Sequence, residues 1–257
     1  MTRPSIGLQL YTVRYAELPL GALLAAVADA GYAGVESVGT QGVEAAELRA
    51  ALDEAGLELA SAHVALADLR GDFAGVVAEH RALGTPLIVV PWLAPADRPG
   101  EAHGWADLGR ELAAIGGALA DEGLALAYHH HDFELESVDG SDGFTVLAEA
   151  AGPERLSLEL DAGWLLRVGH DPAAWLATWG GRVARLHVKD LRRGDDPPWV
   201  DVGDGELDLA ALLAAAEVAN VPWLLVEHDA PQDPLATMRR SAAAVTAALA
   251  ARSGQER

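Results

Sequence analysis

Short apolar runs and longer amphipathic segments alternate along the chain from end to end. The short runs predict strands over Ser5–Tyr11, Ala33–Ser37, Leu57–His63, Pro86–Trp92, Leu124–His130, Arg155–Asp161, Val183–Lys189 and Pro222–His228. Between them, apolar residues recur at helical spacing and predict helices over Leu20–Ala30, Val43–Ala55, Phe73–Leu83, Gly104–Glu122, Asp142–Ala151, Pro172–Trp179, Leu207–Ala219 and Pro234–Ala251. Many helical segments stop at a glycine, as in DAGYAGVE, DEAGLELA and DEGLALAY, the residue that tolerates the left-handed turn closing a helix. About eight βα units predict a single (β/α)8 TIM barrel, an α/β fold. One domain spans residues 1–257, with SGQER as a frayed tail. A doubly wound sheet is the competing architecture, but no glycine-rich dinucleotide turn follows the first strand.

In a barrel of this kind the strand C-termini carry the chemistry, so polar residues there count for more than elsewhere. Period-two alternation sorts the strand faces. In the sixth strand Leu156, Leu158 and Leu160 share the helix-facing side, while Ser157, Glu159 and Asp161 face the axis. The seventh sends Arg185, His187 and Lys189 inward; the eighth places Leu225, Glu227 and Asp229 on one face. Inward charges are costly unless paired or metal-bound, so one reading is a buried ion-pair layer such as Glu159 with Arg185. The other is a divalent-metal site, because Asp161, His187 and Glu227 match the oxygen and nitrogen ligation of Mn²⁺, Mg²⁺, Co²⁺ or Zn²⁺. The fifth strand, LALAYHHHDFELE, turns His129 and His131 inward at the same end, with Glu134 just beyond. His63 ends the third strand as a substrate contact or a structural group, Glu36 ends the second as a hydroxyl contact or a solvated carboxylate, and Lys189 is placed to meet an anionic or enediolate oxygen or to form a rim salt bridge. Trp164, Trp199 and Trp92 stand near strand ends, where an indole stacks on a sugar ring. VGDGELD (Val202–Asp208) predicts a flexible loop over the site.

Composition narrows the partners. With 39 acidic and 18 basic side chains the formal charge is −21, which repels phosphate backbones and argues against a nucleic-acid partner. The small basic cluster of Arg185, Lys189, Arg192 and Arg193 holds a phosphate or caps a loop. No apolar run approaches the roughly 20 residues of a membrane helix, and the N-terminus lacks a signal-peptide pattern, so a cytoplasmic address and no membrane partner are expected. The absence of cysteine removes thiolate ligands and disulfides.

IGLQLYTVR, GYAGVE, YHHHDFELE, LELDAGW, RLHVKD, VGDGELD and WLLVEHD cover the chain from end to end. In these segments it resembles the sugar phosphate isomerase/epimerase family of xylose-isomerase-like TIM barrels, in the subgroup with a YHxHDFE segment. That family includes ketose 3-epimerases, inosose dehydratases and an abasic-site endonuclease branch. The resemblance implies a divalent metal held by an acidic residue of the fifth strand, Asp161, His187 and Glu227. The fourth ligand departs from the family pattern: Glu134 reaches back to the metal, or His129 or His131 replaces it, and Glu134 is the favoured assignment. Glu227, Glu134 and His131 are then the proton-transfer residues. His63, His129, Trp164, Lys189 and Glu36 bind substrate.

The implied activity is isomerisation or epimerisation of a keto-sugar or polyol derivative by proton transfer next to a carbonyl through a metal-stabilised enediolate. The alternative is a metal-dependent dehydratase or lyase of an inosose or keto-glycoside, because imidazole is a good acid for a leaving oxygen near neutral pH. A phosphodiesterase and a non-catalytic sugar-binding barrel rank behind both. The partner is a small sugar or polyol, and a homo-oligomer is compatible with the family.

Overall fold

The computed structural model describes residues 3–255. Eight parallel strands close into a barrel: β1 Ser5–Gln9, β2 Gly34–Val38, β3 Glu58–His63, β4 Leu87–Val90, β5 Ala125–His129, β6 Ser157–Asp161, β7 Val183–Val188 and β8 Trp223–Val226. Each neighbours the next in sequence, and β1 closes the ring against β8 through Ser5 opposite Trp223. The helices are α1 Leu20–Asp29, α2 Ala45–Ala55, α3 Leu66–Gly71, α4 Phe73–Leu83, α5 Ala102–Asp121, α6 Gly143–Ala151, α7 Ala162–Arg167, α8 Pro172–Trp179, α9 Leu209–Val218 and α10 Pro234–Gln255. The predicted barrel is therefore the observed one. α3 and α7, six residues each, were not predicted, being too short to show a helical period. α10 continues through Gln255, and the last two residues of the SGQER tail, Glu256 and Arg257, lie outside the described residues. Among the described residues no helix is long and apolar enough to cross a membrane.

The barrel interior is layered. At its lower end Trp223 and Leu225 pack with Ala60, beside a second group of Leu87, Val89 and Ala127. Trp223 fits because β1 and β2 present glycines there. A Cβ on Gly34 would stand 2.5 Å from the Glu58 carbonyl oxygen and 2.7 Å from Trp223 Cη2. Above this apolar floor the register shifts twice: at Val35/Glu36 between β2 and β3, and at Leu158/Glu159 between β6 and β7. The residues skipped in pairing are Ala60 and Ala184. Bulges of this kind free a ladder carbonyl and re-aim the next side chains. One guanidinium serves both: Arg185 donates through Nη1 to the Ala184 carbonyl at 2.7 Å, and through Nη2 to that of Ala60. Beyond the bulges Glu36 pairs with Ser61, Glu159 with Arg185 and Asp161 with His187, which sets two carboxylate layers across the barrel.

Candidate metal centre and substrate cavity

The deeper layer holds Glu36 and Glu159, both fully buried. Glu36 accepts from Gln9 Nε2 at 2.6 Å and Ser61 Oγ at 2.5 Å, and lies 2.7 Å from His187 Nε2. Glu159 Oε2 lies 2.9 Å from His63 Nε2, 3.1 Å from His129 Nδ1 and 3.2 Å from His187 Nε2. Glu159 is thus ringed by imidazoles and makes no ion pair with Arg185, which the bulge carbonyls occupy. Glu36, expected to touch substrate, sits beneath the cavity rather than on it.

The upper layer is the predicted trio. Asp161 divides its oxygens: Oδ1 accepts from Trp164 N at 3.0 Å and caps α7, while Oδ2 has no hydrogen-bond partner and faces Lys189 Nζ at 3.1 Å. His187 Nδ1 lies 3.0 Å from Glu227 Oε2 and 3.7 Å from Asp161 Oδ2. Lys189 Nζ stands 2.6 Å from Glu227 Oε2 and 3.0 Å from Asp229 Oδ1. Its stem runs over Gly163, where a Cβ would come within 2.7 Å of Lys189 Cγ.

The donor atoms of His129, Asp161, His187 and Glu227 all lie within 4.8 Å of one another and are buried. Their chemistry suits a divalent cation. His187 points one nitrogen at Glu36 and the other at Glu227, so either it carries two protons or a cation occupies its upper side. Asp161 Oδ2, which accepts no hydrogen bond and has the Lys189 ammonium beside it, is the second mark of a ligand position.

Glu134 does not join this group. It follows β5 in a single 3₁₀ turn, Phe133–Leu135, and is fully buried between the Tyr128 hydroxyl, which donates to Oε1 at 2.7 Å, and His131 N, which donates to Oε2 at 2.8 Å. Glu134, the fourth ligand favoured from the sequence, thus lies outside the donor group, whereas His129, one of the two alternatives, stands in it with the trio. The strand ended sooner than its alternation suggested, and the turn after it swings Glu134 outward.

Electrostatics follow from the burial of so many charges. Burial favours neutral His63, but Glu36 and Glu159 outweigh it and raise its pKa to about 10. His187 is likewise raised against burial, chiefly by Glu159 and Glu227. Burial would lift Asp161 and Glu227, yet Lys189 and His187 hold both below the usual carboxylate range. Asp229 goes the other way: burial raises it, with Lys189 opposing. Burial pushes Glu134 up to about 7 despite the bonds it accepts from His131 and Tyr128. His131 is lowered, first by burial and then by His129 and Lys189.

The strand ends open into a cavity of about 1200 Å³. His63, His129, His131, Trp164, Glu227 and Asp229 line its inner part. Trp164 Nε1 has no partner of its own. Asp229 was visible in the β8 alternation but was not singled out. The loop over Val202–Asp208, expected to be flexible, is held by one carboxylate: Asp190 accepts from Gly203 N at 3.0 Å, Gly205 N at 3.1 Å and Leu207 N at 3.0 Å.

A closed parallel barrel whose strand ends gather a buried histidine–carboxylate cluster around a cavity defines a TIM-barrel protein with a site fit for a metal ion. The chain belongs to the xylose isomerase-like TIM barrel family, whose model matches residues 24–248. It is 28% identical over 253 residues to the rhizopine catabolism protein MocC of Rhizobium meliloti, covering 85% of this chain and 76% of that one. Inosose dehydratase of Clostridium tetani is 28% identical over 147 residues, covering 51% of this chain and 48% of that protein, so the match spans about half the enzyme's length. Among solved structures, a sugar phosphate isomerase/epimerase from Parabacteroides distasonis superposes with a TM-score of 0.80 at 20% identity, covering 95% of this chain and 93% of the other. The IOLI protein with a bound zinc atom gives 0.77 at 14% identity, covering 96% and 98%. At these identities the structural likeness is one of fold.

Proposed function

We propose that this protein is a divalent-metal-dependent enzyme acting on a keto-sugar or polyol derivative. It takes a proton from the carbon next to the carbonyl, and the reaction ends in loss of a neighbouring hydroxyl, as in a dehydratase or lyase. The observation that carries this reading is the placement of carboxylates at the inner cavity. Glu227 and Asp229 both stand at the end of β8 and meet a substrate from one side. Across the barrel, β3 and β5 present imidazoles. Glu134, the second carboxylate that a two-glutamate epimerase would set against Glu227, is engaged by Tyr128 and His131.

A cation held by Asp161, His187, Glu227 and His129 would supply Lewis acidity toward the carbonyl and its neighbouring hydroxyl. Glu227, ionised beside Lys189, accepts the proton. The Lys189 ammonium, held by Asp161, Glu227 and Asp229, would offset charge that develops on the carbonyl oxygen. Asp229 lines the cavity beside Glu227 and would hydrogen-bond the departing hydroxyl, which leaves on the same side as water with the proton that Glu227 has taken up. His63, His129 and Trp164 contact the hydroxyls and ring face.

Epimerisation is the second reading, favoured by the His131 ring lining the cavity opposite β8, where it would return the proton to the other face. Incubation of the metal-loaded enzyme with ketoses and inososes in D₂O separates the two. A product lighter by one water supports elimination; a diastereomer carrying one deuterium at the carbon next to the carbonyl supports epimerisation. Neither product with any of Mn²⁺, Co²⁺, Mg²⁺ or Zn²⁺ sinks both.

A further inference from the structure

The cavity is larger than the chemistry just described requires. A single sugar ring lies at the small end of ligand pockets, which run from roughly 300 to 1,000 Å³; this cavity is about 1200 Å³. The surplus is an outer trough continuous with the inner part, bounded by the ends of β1 and β2 on one side and by α3 and α4 on the other. Its walls are unlike ordinary surface. Tyr11, Val38 and Trp92, exposed by 41%, 43% and 45%, are three of the seven large hydrophobic residues exposed among the described residues, and all three line it. Ala65, Ala67 and Gly71 keep the α3 side shallow. Asp68 and Glu79 add acceptors for hydroxyls and repel phosphate.

Resting on the keto-sugar reading above, we infer that the trough is a second sugar subsite, so the substrate is an unphosphorylated glycoside of two rings. The reacting ring lies over Glu227 and His129. The second ring lays its C–H face on the Trp92 and Tyr11 rings, the arrangement that aromatic residues offer to amphipathic partners.

Gly71 supplies the test, because a Cβ there would meet nothing within 4 Å and its backbone is not left-handed. Gly71→Phe, and independently Ala67→Trp on the exposed face of α3, fill the trough without touching the inner site. Calorimetry with glucose and methyl glucoside against maltose, cellobiose, sucrose and trehalose should show at least one disaccharide bound about tenfold more tightly than either single-ring sugar. Both variants should abolish that preference and leave single-ring binding unchanged. A preference under threefold for all four disaccharides, no saturable binding by any of them, or a preference that survives both substitutions overturns the inference. Because the readout is binding, the subsite stands or falls separately from the elimination chemistry, which the D₂O experiment tests.

Discussion

Asp161 closes α7 with one oxygen and leaves the other free beside Lys189, so a single side chain fixes both a helix start and a ligand position. Glu159 works at one remove, through the three imidazoles around its Oε2. Carboxylates behind metal-bound histidines set ring orientation, and losing them typically costs about 10–100-fold in metal affinity. Glu159→Gln should therefore weaken Mn²⁺ or Zn²⁺ binding by about that factor in calorimetry; unchanged affinity would remove Glu159 from this role. Glu134 makes a different prediction. With its folded pKa raised to about 7, its contribution to stability is complete below the ordinary carboxylate value and is lost as pH rises through 7. The thermal midpoint of the wild type should fall between about pH 5 and 8 relative to Glu134→Gln, whose amide titrates nowhere in that window; parallel curves would contradict the raised pKa. The alternation of single strands disclosed Asp161, His187 and Glu227 because each continues a strand's inward face. It could not place Glu134, which lies beyond the strand in a turn without periodicity. Nor could it tell that Glu36 is enclosed, since that depends on Gln9, Ser61 and His187 from three other strands.

Strands and longer helices were legible because each buries one face over enough residues to show its period. Two devices were not: the bulges at Ala60 and Ala184, and the short helices α3 and α7. Both are local departures from the period that made the rest readable. The bulges matter most, since they put Glu36 and Glu159 into one layer and give Arg185 its carbonyl partners. The floor under that layer depends on a residue with no side chain. Gly34→Ala forces its methyl against the Glu58 carbonyl and the Trp223 ring, and overpacking of this kind costs about 1–3 kcal/mol. Urea denaturation should report a loss in that range; a neutral result would mean that Trp223 can shift freely.

Across the whole molecule, acidic groups outnumber basic ones and several are gathered at the barrel centre. A cation bound among them would therefore stabilise the fold. Any ligand that binds only the native state adds about 2.7 kcal/mol at one hundred times its dissociation constant. Chelator-treated protein should melt below protein saturated with Mn²⁺, Co²⁺ or Zn²⁺, and indifference to all three would mean that no metal binds here.

The ring closes between β1 and β8, the most distant strands in the chain, and Glu227 lies just past β8. Glu227, the base of the proposed reaction, therefore reaches its place only when the strands most distant in the chain have paired, whereas Glu36 and His63 stand on neighbouring strands near its start. Contacts between such remote segments form slowly, after most of the chain is ordered. Recovery of turnover during refolding should accordingly trail the recovery of helical signal, making activity a clock for the final strand.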